Sequence, residues 1–157
     1  MAQPVYIAVI GGSEISAEMA EMARQVGREV ARKGAVLLCG GLGGVMAAAA
    51  QGVQAAGGVS LGILPGEDHG GANPYLTYTI ATNLGHARNM LIAHSADAVI
   101  AVDGSYGTVS EAAIALKLGK PVIALQVTWD LPGLQRANSA VAAVALAWEK
   151  LKERQAK

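Results

Sequence analysis

Two hydrophobic rhythms take turns along this chain. Short, largely apolar runs fall at Val5–Ile10, Ala35–Cys39, Val59–Leu64, Leu76–Ala81, Ala98–Val102 and Pro121–Leu125. Between them lie longer stretches with apolar residues at helical spacing. The first follows an N-cap-type Ser16 and carries Met19, Ala20, Ala23, Val26, Gly27 and Val30. The others are Val45–Ala56, Leu84–Ala96, Tyr106–Leu118 and Ser139–Glu153. Gly34, Gly57-Gly58 and Gly119-Lys120-Pro121 stop three of these helices. Unbroken apolar strands are buried on both faces, and strands that alternate with helices are joined by crossovers. The pattern therefore predicts an α/β fold: a doubly wound parallel sheet in a three-layer α/β/α sandwich. No linker, repeat or low-complexity tract interrupts it, so residues 1–157 read as a single domain.

Three of the strands end in glycine turns that open helices. These are Gly11-Gly12-Ser13, Gly40-Gly41-Leu42-Gly43-Gly44, and Asp103-Gly104-Ser105-Tyr106-Gly107-Thr108-Val109-Ser110-Glu111. In a parallel sheet all three lie at the carboxyl edge, where ligands collect. Glycine lets backbone N–H groups approach a ligand, and the unpaired amides of a helix start attract an anion, most often phosphate. The candidate ligand residues are thus Gly12, Ser13, Gly41, Gly43, Gly44, Gly104, Ser105, Tyr106, Gly107, Thr108 and Glu111, with Arg88 and Asn89 from an earlier helix. The first turn also fits a plain chain reversal. The phosphate is expected against Ser105 to Thr108, with Gly41 to Gly44 as the opposite wall and Arg88 at the side, its planar donor fork suited to that group. Glu111 reads either as a site carboxylate or as a first-turn acid favoured by the helix dipole. Asp103 reads either as a turn former or as the partner of a ribose or pterin donor. His86 stands beside the Arg88 motif, whereas His94 reads as an ordinary helix residue.

Composition narrows the partners. Twelve basic and twelve acidic residues give a net charge of zero. The basic tail residues Lys150, Lys152, Arg154 and Lys157 are interleaved with Glu149 and Glu153, which marks a solvated helix end rather than a nucleic-acid surface. No apolar run is long enough to span a membrane, and no secretory signal is present. A lone Cys39 excludes an internal disulfide and fits the cytoplasm; it reads as a buried structural thiol. Glu67, Asp68 and His69 are adjacent and without a second ligand set, so they read as a polar loop of lid type and no metal is expected. Trp129 and Trp148 read as packing or interface anchors. Apolar, Ala-rich helices with few charges predict a homodimer or higher homo-oligomer with a helical interface.

Three segments together, Gly40-Gly41-Leu42-Gly43-Gly44-Val45-Met46, Gly85-His86-Ala87-Arg88-Asn89 and Gly104-Ser105-Tyr106-Gly107-Thr108-Val109-Ser110-Glu111, resemble the LONELY GUY superfamily, often labelled "lysine decarboxylase-like". The likeness runs from Ile10 to Leu125 and implies a Rossmann-like fold. Its best-known enzymes are phosphoribohydrolases that cleave the N-glycosidic bond of cytokinin nucleoside 5'-monophosphates. Their signature is Pro-Gly-Gly-x-Gly-Thr-x-x-Glu with an Arg-Lys pair. Here Gly107, Thr108, Glu111 and Arg88 match; Asp103, Ser105 and Asn89 depart from it. The Ala-Arg-Asn and Ser-Glu variants are more similar to a branch of short bacterial proteins and molybdenum cofactor carriers. The resemblance therefore implies a binding or carrier protein for a phosphorylated heterocycle, either an AMP-like nucleotide or the molybdenum cofactor. The alternative is a hydrolase in which Glu111 and Arg88 are catalytic. No lysine site for pyridoxal phosphate supports decarboxylation.

Overall fold

The protein is described by a computed structural model that covers residues 3–157. In chain order the elements are β1 (Tyr6–Gly11), α1 (Ala17–Arg32), β2 (Val36–Cys39), α2 (Val45–Ala55), β3 (Val59–Leu64) and β4 (Tyr78–Ala81), then a 3-10 turn at Gly85–Ala87. There follow α3 (Arg88–Ser95), β5 (Ala98–Val102), α4 (Tyr106–Lys117), β6 (Val122–Leu125), β7 (Gln135–Arg136) and α5 (Ala140–Gln155). The seven strands form one sheet in the order β4-β3-β2-β1-β5-β6-β7, and every pair is parallel. This is the doubly wound, three-layer arrangement that the alternating pattern predicts.

Side chains alternate across the sheet and build two cores. Ile7, Val9, Leu37, Ile100, Val102, Ile123 and Leu125 pack with α1, α2 and α5. Ala8, Ile10, Leu38, Ile63, Val99, Ala101 and Val122 pack with α3 and α4. Because every central strand is covered twice, the sequence there carries no polar alternation. Helices α1 and α2 meet closely through glycines. A Cβ on Gly27 would sit 2.9 Å from the carbonyl carbon of Ala49, and one on Gly52 would sit 2.9 Å from that of Arg24. Ser16 caps α1 by accepting from the Met19 amide at 3.2 Å, and Ser139 caps α5 by accepting from Ala142 at 3.1 Å.

Three boundaries and one additional strand depart from the expected pattern. The strand expected over Leu76–Ala81 pairs only from Tyr78; Leu76 turns inward over Gly62 instead. The helix expected over Leu84–Ala96 opens as a 3-10 turn and becomes α-helical at Arg88. The last helix continues past Glu153 to Gln155. Strand β7 was not foreseen, because it is two polar residues held only by register with Ile123 and Ala124. Among the described residues no helix is long and apolar enough to cross a membrane.

Candidate functional site

The carboxyl ends of β1 and β2, the start of α3 and the start of α4 enclose a cavity of about 470 Å³. Its polar lining brings together Gly12 and Ser13 after β1, Gly40 after β2, His86, Arg88 and Asn89, and Ser105, Gly107, Thr108 and Glu111. Val9, Ile10, Leu42, Met46 and Pro65 supply apolar walls. The volume suits a small-molecule ligand.

Two charged side chains are buried here. Arg88 and Glu111 are each 8 % exposed. The Arg88 Nη1 lies 4.0 Å from Glu111 Oε1 and donates to the Asn89 carbonyl oxygen Oδ1 at 2.9 Å, so Asn89 orients the guanidinium. The Nε of Arg88 is buried without a hydrogen-bond partner among the described residues. Burial pushes the Glu111 carboxyl up to about 7, and the Arg88 charge only partly opposes this. Burial lowers the Arg88 pKa, with Glu111 acting in the other direction. The guanidinium lies against the bare backbone of Gly40, where an added Cβ would come within 2.8 Å of its Cζ.

Helix α4 presents its amino end to the same space. Its first intrahelical bond runs from the Val109 amide to the Ser105 carbonyl at 2.9 Å, and the Ser105 side chain does not cap the helix. The amides ahead of Val109 therefore have no partner along the helix. Ser105, Gly107 and Thr108 line the cavity, while Tyr106 points out, 91 % exposed. Gly104 sits beneath Thr108, with a Cβ there 2.6 Å from the threonine Cβ.

The second glycine turn behaves differently from expectation. Its contribution to the cavity is Gly40 and Leu42, not Gly41, Gly43 or Gly44. Gly41 backs onto Leu64, and Gly44 packs so tightly on the first turn that a Cβ would reach 2.6 Å from the Ser13 carbonyl oxygen. The Val45 amide at the head of α2 donates to the Gly12 carbonyl at 3.0 Å. That helix end is spent on holding the two turns together. Val9, Gly40, Met46 and Pro65 are lining residues that sequence reasoning missed. Gly40 and Met46 stand at the two ends of the glycine segment that the sequence singles out, whereas Val9 and Pro65 left no signal.

The remaining candidates fall outside the cavity. Cys39 is fully buried, and burial pushes its thiol up to about 11, so it is protonated and structural. The Asp68 carboxylate accepts from the Gly70 amide at 2.9 Å, His69 Nδ1 pairs with Thr79 Oγ1 at 2.5 Å, and Asn73 ties the loop to the Leu42 carbonyl at 2.9 Å. Among the described residues no three His, Cys, Asp or Glu side chains converge as a metal site. Trp129 and Trp148 pack against the two cores, and the Lys33 ammonium stands 5.8 Å over the Trp148 ring.

Fold and cavity together define a doubly wound α/β protein with an arginine-bearing chamber at the carboxyl edge of its sheet. The SLOG cluster4 family model matches residues 4–153, and the chain belongs to that family. An uncharacterized protein of Archaeoglobus fulgidus is 47% identical over 129 residues, 82% of this chain and 85% of its own. The molybdenum cofactor binding protein of the phototrophic bacterium Rippkaea orientalis superposes with a TM-score of 0.89 at 34% identity, covering 96% of this chain and 99% of that one. The molybdenum cofactor carrier protein of Chlamydomonas reinhardtii superposes with a TM-score of 0.87 at 31% identity, over 96% and 99% of the two chains.

Proposed function

We propose that this protein binds, and carries, a phosphorylated heterocycle at the Arg88 cavity, and that the molybdenum pterin cofactor or an AMP-like nucleotide is the cargo. The observation that carries the reading is Arg88: a buried guanidinium with an unpartnered Nε beside the unpaired amides of α4. A buried cation without a full set of acceptors is costly, and an anion supplies them. The chamber fits the phosphate end of either ligand through Arg88, Ser105, Gly107 and Thr108, and leaves apolar wall for a ring. The likeness to two molybdenum cofactor binding proteins over nearly their whole length favours the pterin. No proton transfer or bond cleavage is needed for this role; the chain's own residues bind, orient and exclude water.

Isothermal titration with inorganic phosphate, AMP and a phosphorylated pterin tests it. Arg88→Ala is expected to weaken each by about 10- to 100-fold, the range for a charged hydrogen bond, without loss of fold. Mass spectrometry of whatever is released on denaturation names the cargo. Unchanged affinity in the variant would refute the reading.

One observation favours a phosphoribohydrolase as the second reading. A carboxyl raised to about 7 is poised for acid–base work near neutrality. Free base released rapidly from AMP or a cytokinin monophosphate, and abolished in Glu111→Gln, would rank hydrolysis first.

A further inference from the structure

The winding of the sheet reverses between β1 and β5: the chain runs on from β1 toward β2 and from β5 toward β6, on opposite sides. The loops after these two strands diverge and leave a crevice. Beside the Arg88 cavity this crevice holds a second hollow of about 310 Å³, lined by Gly12, Ser13, Glu14, Asp103, Gly104 and Ser105. Gly12, Ser13 and Ser105 line both spaces, so a single ligand can reach from one to the other.

The hollow has the opposite chemistry to the chamber. It is lined by two carboxylates and two hydroxyls and by no cation. Neither carboxylate is ion-paired among the described residues. Asp103 is held there by an uncommon backbone, with φ at +54°, a region that aspartate and asparagine tolerate better than most residues. Its carboxylate rests against the first turn, 3.6 Å from where a Cβ on Gly12 would be. A carboxylate beside a bound anion repels it, unless the ligand places hydrogen-bond donors between the two. The anion itself is called for by Arg88, which is more than nine-tenths buried with its Nε unpartnered.

We propose that the ligand lies across the β1–β5 reversal, with its anionic group at Arg88 and hydrogen-bond donors in the hollow against Asp103, so that Asp103 selects a donor-bearing ligand over a bare anion. This rests on the reading that Arg88 takes the anion. Two sources supply such donors: the ring N–H and amino groups of an aminopteridine, and the vicinal hydroxyls of a ribose.

The test is titration calorimetry of the wild type, Asp103→Asn and Arg88→Ala with three probes: inorganic phosphate, ribose 5-phosphate and a phosphorylated 2-aminopteridine. Asparagine keeps the left-handed backbone and removes the charge. Asp103→Asn is expected to weaken a donor-bearing probe about tenfold while inorganic phosphate binds as well or better. A loss confined to ribose 5-phosphate identifies the diol as the donor, and one confined to the aminopteridine identifies the ring. Equal changes for all three probes, or none, overturn the proposal; if Arg88→Ala still weakens all three, the anion reading survives. If Arg88→Ala changes nothing, both fall. Glu14→Gln, on the exposed rim, reports the same discrimination at about threefold should Asp103→Asn not fold.

Discussion

Replacing Glu111 by glutamine removes a buried carboxyl, and its effect depends on pH in a defined direction. The folded carboxyl is raised from 4.5 to about 7, chiefly by burial. The folded state therefore holds its proton more tightly than the unfolded chain. The stabilisation this brings is complete below about pH 4.5 and is lost as pH rises through about 7. The displacement corresponds to roughly 3 kcal/mol, at about 1.36 kcal/mol for each tenfold change in proton affinity. Glutamine is neutral at every pH and close in shape. At pH 8 Glu111→Gln should thus be more stable than the wild type by about 3 kcal/mol, or roughly 6–12 °C in Tm for a domain of this size. At pH 4.5 the two proteins should unfold together. Urea titrations at the two pH values, compared at equal m, measure the difference directly, because every other titrating group is shared. A variant that gains nothing at pH 8, or gains equally at both, would show that the carboxyl is not desolvated as described.

Three further outcomes are expected. Sulfate, whose charge is constant near neutrality, should bind the wild type progressively more weakly as pH rises through about 7 and Glu111 ionises; Glu111→Gln should flatten that profile in calorimetry. Gly27→Ala should cost about 1–3 kcal/mol in chemical denaturation, because its methyl group meets the α2 backbone rather than a side chain that can swing away. Sedimentation velocity at micromolar concentration should give a dimer or larger, since Met90 and Leu91 on α3 remain 58% and 38% exposed; a monomer mass would refute the expected assembly.

The fold was legible because its central strands are buried on both faces, which leaves unbroken apolar runs that composition alone cannot disguise. The same reasoning fails at the margins. Gln135 and Arg136 form a strand only because β6 offers them an edge, and nothing in their own chemistry says so. Gly85 has a left-handed backbone, φ +56°, and it delays the helix that the apolar spacing starts at Leu84. In the site, the motif residues were legible as a set but not by orientation. Whether a glycine faces a ligand or a neighbouring element depends on what packs behind it, as Leu64 of β3 does behind Gly41 and Ser13 of the first turn behind Gly44. The burial of Arg88 was equally hidden, since a lone arginine on a helix ordinarily belongs to the surface. Gly40 and Glu111, from two other elements, hold it inside.

Gly40 decides where the buried guanidinium of the cavity can sit. The seat of the Arg88 guanidinium is defined by a missing methyl group: the space that any side chain at position 40 would occupy is already filled by the arginine and by Met46 Sδ. An alanine or serine there would displace the guanidinium and the Met46 side chain from this pose. The glycine run that follows mostly serves the docking of two loops and so belongs to the architecture. The single position ahead of it bears on chemistry, because its bare backbone is what the buried guanidinium lies against.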